Sequence, residues 1–389
     1  MEGRGSVHPN RVIVKIGLLV KEICIDARML TCSGIGTYIE NLLGFLKKTS
    51  YRFKVIIRPE HLTLFDYWDV FEPIILDREI YSIAEQIQLP LKIPRCDLFW
   101  APHYNIPLAP IKARKRLTTI HDVNHLAFFT SLSVPQKMYV KMVMYAAIKL
   151  SEKVITDSLF SKEELQKYTS IHENAVSVIP LGVNRHLFQK EKKIEDEQFI
   201  AKYSLPKKII LFVGNLKPHK NLRNLIEALY LLSQRGIEDL HLIVIGKKEG
   251  FKIGEDIGSL LRLHPYLNKN IHFLGSVSNE ELSSAYRLAQ VFVFPSFYEG
   301  FGLPALEAMS SGCPTIASSS ASLPEVCGRA AVYVDPHSPQ EIAQAIHNVL
   351  TDQTLSAKLK KEGFERSQHF SWERCAEQHL ELIDQVLRC

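Results

Sequence analysis

Short runs of β-branched and aliphatic residues alternate with longer stretches of helical periodicity along most of the chain. In the first half this spacing predicts strands over Ile23–Ala27, Phe53–Arg58, Asp97–Ala101, Arg116–Ile120, Lys153–Asp157 and Val176–Pro180, with helices over Gly36–Lys48 and Pro135–Leu150. In the second half Lys208–Gly214, His241–Gly246, Ile271–Gly275, Val291–Pro295, Pro314–Ser318 and Ala331–Val334 repeat the rhythm. A helix after the first of these places Leu222, Leu225, Ile226, Leu229 and Leu232 on one face. Two later helices carry start signals, Ser278 with Glu281 and Ser338 with Glu341 behind Pro339. Strand–helix alternation of this kind is the pattern of parallel α/β sheets.

The pattern divides into a domain over 22–185, a charged linker over 186–206 containing QKEKKIEDEQ, and a second domain over 207–370. The amphipathic stretch 371–389 reads as a last helix that returns to complete the first domain. At 389 residues the chain is too long for one core and fits two α/β domains. Its 46% hydrophobic and 23% charged residues are those of a globular protein. A net charge of +5 suits anionic substrates or an acidic membrane surface, yet no basic–aromatic stripe for nucleic acid is present. Seven scattered cysteines without a CxxC pair argue against a disulfide framework or zinc site. The run Val12–Val20 is too short and too interrupted for a signal peptide, so a cytoplasmic location is expected.

The chemistry concentrates where strands give way to helices. FYEGFGLPALEAMSSGCP, Phe297 to Pro314, follows an apolar strand and opens a helix at Pro304. Gly300 and Gly302 let the backbone approach a ligand, and the helix N-terminus suits a phosphate. Glu299 and Glu307 flank that anion site and are suited to accept hydrogen bonds from sugar and ribose hydroxyls. In FVGNLKPHKNL, Lys217, His219 and Lys220 cluster at a helix start, where cations oppose the dipole unless an anion binds. SGIGTY, Ser33 to Tyr38, is a further glycine turn that lacks the third glycine of a dinucleotide fingerprint. His121 and Asp122 sit at a strand's carboxyl end, where they can orient a hydroxyl or share a proton. Thr156, Asp157, Ser158 and Ser161 read as helix-capping residues. Lys137, Lys141 and Lys149 line an otherwise apolar helix with Met138, Met142 and Met144. That helix reads first as a core helix with a solvated lysine edge, and alternatively as a membrane-docking surface.

Taken in order, IDAR, GIGTY, APHYNIPL, HDV, TDSLFS, VIPLGVN, FVGNLKPHKN, FLGSVSNEEL and PSFYEGFGLPALEAMSSGCPTIAS resemble family four of the glycosyltransferases, from about Ile23 onward. The resemblance implies a GT-B fold, two Rossmann-like doubly wound parallel-sheet domains facing across a cleft. It implies retaining transfer of a hexose from a nucleoside diphosphate sugar, GDP-mannose or a UDP-hexose, to a saccharide or lipid-linked saccharide acceptor. Glu299 then lies beside the donor sugar and Glu307 on the ribose. Gly300, Phe301, Gly302 and Leu303 supply backbone contacts to sugar and phosphate, and Lys220 meets the diphosphate. Gly34 and Gly36 belong to the loop that closes over the donor, and His121 lies near the reacting carbon.

Many family members have an arginine at the position of Asn215, so Lys217 or His219 is expected to supply the missing charge. GIGTY and GNLKPHKN resemble the mannosyltransferase subset of surface polysaccharide assembly, making GDP-mannose the first choice of donor. No Asp-x-Asp motif is present, so no metal or other cofactor is expected. A peripheral membrane contact at the inner face remains compatible with this reading. So do a sugar-nucleotide epimerase on the same fold and a catalytically silent sugar-nucleotide-binding subunit.

Overall fold

The computed structural model describes residues 20–66, 68–128, 133–191, 193–237, 239–247 and 255–388. Apart from Val20, the apolar run near the start lies outside the described residues. The first half runs β1 (Glu22–Asp26), α1 (Ser33–Leu46), β2 (Arg52–Ile57), α2 (His61–Leu64), β3 (Glu72–Ile75), α3 (Ile83–Lys92), β4 (Cys96–Ala101) and β5 (Ala113–Thr119). It continues with α4 (Asn124–Ala127), α5 (Val134–Leu150), β6 (Lys153–Thr156), α6 (Leu159–Thr169) and β7 (Val176–Val178).

The second half begins with α7 (Ile194–Tyr203), β8 (Ile209–Val213), α8 (Leu222–Gln234), β9 (His241–Ile245), α9 (Glu255–Leu263), β10 (Ile271–Gly275) and α10 (Asn279–Leu288). Then come β11 (Val291–Phe294), α11 (Leu303–Ser310), β12 (Thr315–Ser318), α12 (Leu323–Cys327), β13 (Ala331–Val334), α13 (Pro339–Thr351), α14 (Gln353–Ser367) and α15 (Trp372–Arg388).

Two all-parallel sheets result, ordered β3-β2-β1-β4-β5-β6-β7 and β10-β9-β8-β11-β12-β13. In each, the strand order reverses beside the first strand, between β1 and β4 and between β8 and β11. Open α/β sheets bind ligands outside the carboxyl ends of the strands at such a reversal. The central strands are continuous apolar runs, such as IILFV in β8, because helices cover both faces.

The structure adds elements that the hydrophobic pattern did not announce. Strand β3, EPII, is an edge strand with a proline and a charge, which erases its apolar signature. Helix α6 has few apolar residues, and α3 carries Pro90 near its end, a residue that reads as a helix breaker. The first glycine helix starts at Ser33, before the expected Gly36.

The segment 186–206, expected to be a linker, holds α7 and is packed into the second half. Phe188, Phe199 and Leu205 are buried, and Arg287 of α10 grips both oxygens of Asp196 at 3.0 and 3.1 Å through Nε. A charged sequence hid this because one acid and one arginine neutralise each other inside the contact.

Helix α15 packs back on α1. A directed hydrogen-bond chain ties it down. Trp100 Nε1 donates to Thr119 Oγ1, Thr119 bonds Tyr38 Oη at 3.0 Å, and Tyr38 meets His379 Nε2 at 2.6 Å. His379 Nδ1 lies 2.7 Å from the Cys375 carbonyl, so Nδ1 carries the proton and Nε2 accepts from Tyr38. Burial pushes the His379 pKa down to about 4, which keeps that tautomer neutral. The last helix thereby supports the floor beneath the carboxyl end of β5.

Candidate active site

At the reversal of the second sheet, the turns after β8 and β11 lie side by side. Gly302 adopts φ 113° as the N-cap of α11, and a Cβ there would approach Leu323 Cδ2 to 2.6 Å. Only glycine meets both demands. Gly300, Phe301 and Gly302 are buried, and the amide end of α11 begins at Leu303 with Pro304 next.

Lys220 and Glu299 meet directly, with Nζ 2.7 and 2.8 Å from the two carboxylate oxygens. Lys220 Nζ also lies 5.3 Å from the Phe294 ring centroid. The pair is largely buried, so each charge is offset by the other until an anionic ligand competes for the lysine. Deeper in α11, Glu307 accepts a 2.9 Å bond from Tyr286 Oη. Burial pushes its carboxyl up to about 7, against the lowering effect of that bond.

The surrounding residues divide by what they reach. Asn215 donates from Nδ2 to Ser33 Oγ at 3.1 Å, joining the turn after β8 to the start of α1. Gly34 at that start has nothing within 4 Å of a built Cβ. At Gly36 a Cβ would stand 2.3 Å from the Leu30 carbonyl, so this glycine serves close packing of α1 on the β1 turn. Neither glycine is a turn residue, as the sequence suggested; both lie in the first turn of α1. His219 does not replace the missing arginine. Burial, then Lys220 and Lys217, push its pKa down to about 3, leaving it neutral near pH 7.

His121 projects beyond β5 on the opposite side of the cleft. Its Nδ1 lies 2.7 Å from Asp157 Oδ2 and its Nε2 3.1 Å from the Pro102 carbonyl. Both neighbours are acceptors when Asp157 is ionised, an arrangement that favours the doubly protonated ring. Burial disfavours that cation, but the charge and hydrogen bond of Asp157 outweigh it and raise the His121 pKa. Tyr38 packs its ring edge-on at 4.8 Å, fixing the imidazole plane.

Asp157 partners His121 and is not the helix cap that capping logic suggested. Its signal was a carboxylate at the end of β6, the strand next to β5. Ser158 is the cap, accepting from Ser161 N at 3.0 Å.

The two halves touch through the same residues. Ser158 Oγ and Ser161 Oγ donate to the Gly300 carbonyl at 2.6 and 3.0 Å. A Cβ on Gly300 would fall 2.5 Å from the His121 carbonyl. Glu325 of α12 accepts from Leu159 N and Phe160 N at 2.9 and 3.2 Å, capping α6 from the other domain. His121 and the glycine turn are therefore held in register across the cleft.

A second polar cluster lies at the reversal of the first sheet. Arg28 Nη2 bonds Asp26 and Glu85 at 2.6 Å each, and Asn105 Nδ2 donates to Glu85 at 2.9 Å. Arg28 Nη1 is buried and has no hydrogen-bond partner among the described residues. Asp26, Arg28, Pro102, His103 and Asn105 line a recess there. Asp26 and Arg28 belong to IDAR, and Pro102, His103 and Asn105 to APHYNIPL, motifs that carry no assigned role in the sequence.

The family model described as Glycosyltransferase Family 4 matches residues 32–187, and that described as Glycosyl transferases group 1 matches 193–366. O-antigen chain mannosyltransferase B of Escherichia coli is 30% identical over 287 residues, 73% of each chain. The serotype-specific mannosyltransferase WbdA of Escherichia coli is 32% identical over 246 residues, 62% of this chain and 30% of that longer one. Sucrose-phosphate synthase from Thermosynechococcus elongatus superimposes with a TM-score of 0.76 at 22% identity, covering 95% of this chain and 99% of that one. Its likeness extends the two-sheet architecture to a solved GT-B structure. With two parallel sheets meeting at their reversal points, and with family matches running through both halves, the chain belongs to the family-four glycosyltransferases.

Proposed function

We propose that this glycosyltransferase moves mannose from GDP-mannose to a hydroxyl of a saccharide or lipid-linked saccharide, with retention of anomeric configuration. The observation that carries the site assignment is the Lys220–Glu299 pair at the α11 amide terminus, held opposite His121. A donor diphosphate entering there draws Lys220 from Glu299 and is met by the amides of Gly302 and Leu303. Glu299, released from the lysine, is free to accept from a sugar hydroxyl. Glu307 takes the ribose hydroxyls in this reading, and Asn215 and Gly34 close over the phosphates.

His121, cationic and clamped by Asp157, positions the sugar from the acceptor side and stabilises negative charge rather than acting as a base. The Arg28 recess receives an oxygen of the acceptor. With Lys220, Lys217 and backbone amides meeting the diphosphate, transfer proceeds without a divalent metal. The choice of mannose and of a surface-polysaccharide acceptor draws on the similarity to O-antigen mannosyltransferases.

The test is a thermal-shift panel of nucleotide sugars, followed by product analysis with the stabilising donor. GDP-mannose should shift melting most, and NMR of the product should show an α-linkage from the α-linked donor. Selective stabilisation by a UDP-hexose would replace the donor, and a β-linked product would overturn retention.

A further inference from the structure

Outside the cleft, the first domain carries apolar side chains that stay exposed among the described residues. On α3, Ile83, Ile87 and Leu91 recur every fourth residue and are 83%, 62% and 71% exposed. A four-residue spacing keeps them on one side of the helix. On α5, Val134, Met138, Met142 and Tyr145 are each half or more exposed, while Val140, Val143, Met144 and Ala147 of the same helix are buried. The core-helix reading of α5 therefore holds for one face only. The two helices adjoin, with Gln86 Nε2 donating to Tyr139 Oη at 3.4 Å and the Tyr81 and Tyr139 rings in contact.

Charge identifies what fits this surface. Helix α5 contains Lys137, Lys141 and Lys149 and no acidic residue in 17 positions. Lys149 Nζ lies over the exposed Tyr145 ring, 5.9 Å from its centroid. Helix α3 ends in Lys92, and its one acid, Glu85, points inward to Arg28 and Asn105. An apolar surface bordered by cations and free of carboxylates on both helices matches the interface of an anionic bilayer. A second copy fits less well, because a two-fold contact through α5 would set its lysines against their own counterparts.

We infer that α3 and α5 form a docking surface for an anionic lipid membrane. Ile83, Ile87 and Leu91, together with Val134, Met138 and Met142, enter the headgroup boundary, and the lysines face the lipid phosphates. The inner side of α3 braces Arg28 at the first-sheet reversal, so docking brings the acceptor side of the cleft to the membrane. This goes beyond the transfer reaction and does not depend on the donor.

Sedimentation of the full chain with vesicles tests the inference without any turnover. Wild type should bind phosphatidylglycerol–phosphatidylcholine vesicles and bind pure phosphatidylcholine at least tenfold more weakly, with binding to the mixed vesicles reduced by 0.5 M salt. Ile83→Ser/Ile87→Ser/Leu91→Ser should lower partition at least tenfold, with unchanged melting temperature and an unchanged shift by the preferred nucleotide sugar. Lys137→Glu/Lys141→Glu/Lys149→Glu should abolish the preference for anionic lipid. If the serine variant melts early, Met138→Gln/Met142→Gln makes the same test on α5 alone. Equal vesicle binding by wild type and the folded variants would overturn the surface. So would a concentration-dependent dimer that the serine variant abolishes while vesicle binding is absent. A missing nucleotide-sugar shift alongside intact vesicle binding would instead count against the proposed function.

Discussion

Replacing Glu307 by Gln isolates the effect of one half-buried carboxyl. The glutamine keeps an acceptor for Tyr286 Oη, which bonds Glu307 at 2.9 Å, and removes only the ionisation. Folding raises this carboxyl from 4.5 to about 7, chiefly through burial. Its contribution to stability is therefore fully present below pH 4.5 and is lost as pH rises through 7. At about 1.36 kcal/mol per pH unit, that rise corresponds to a ceiling of about 3 kcal/mol. Glu307→Gln and wild type should unfold alike near pH 4.5, and the variant should gain on wild type up to pH 8.

Urea unfolding at half-unit pH steps measures the difference directly. Parallel pH profiles for the two proteins would refute the reasoning, because they would mean that Glu307 ionises as freely folded as unfolded. The same substitution should weaken nucleoside diphosphate binding by about 1.5–3 kcal/mol above pH 7, where the wild-type carboxylate is charged. Wild-type affinity should accordingly climb through pH 7 and that of the variant should stay flat. Stability is thus lost at the pH where binding is gained, as expected of a group desolvated for a ligand.

Three further outcomes follow from the cleft. Lys220→Ala should lower transfer about 100-fold and Lys217→Ala should lower it much less, and wild type should keep its activity in excess EDTA; complete loss in EDTA, restored by Mn²⁺, would refute the protein-only diphosphate site. His121→Ala should lower kcat about 100-fold and lower the melting temperature as well, because it leaves the buried Asp157 carboxylate unpaired, and Asp157→Asn should bring the His121 NMR titration to lower pH; an unmoved titration would sink the imidazolium assignment. Gly300→Ala drives a Cβ to 2.5 Å from the His121 carbonyl, so it should destabilise the closed cleft by about 1–3 kcal/mol and slow transfer; wild-type melting and turnover together would show that the two halves are not held in this register.

The sequence alone determined the class of fold, because short, β-branched or aromatic apolar runs such as VFVF and IILFV, alternating with longer helical stretches, fit strands covered on both faces. Glycines forced by local backbone demands were also legible, and Gly302 is the instance where a positive φ and a neighbour's side chain agree. Legibility ended where an element's stability comes from partners distant in the chain. Helix α7 hid in a charged segment because Asp196 is neutralised by Arg287, 91 residues away. Strand β3 hid because an edge strand needs only one neighbour.

At the site, residue types were readable but their pairing was not. Lys220 and Glu299 read as separate ligand contacts, and only the adjacency of the β8 and β11 turns makes them a salt bridge. Asp157 looked like a cap because its partner His121 is 36 residues earlier, on the neighbouring strand. Whether Met138 and Met142 face core or solvent was likewise undecided by a helix apolar nearly all round, until α5 settled one side on β5 and β6 and left the other uncovered. Periodicity and local sterics act within a few residues, so the sequence carries them openly. Charge pairing, burial and exposure depend on which distant segments the chain crossings bring together, and those the tertiary structure decides.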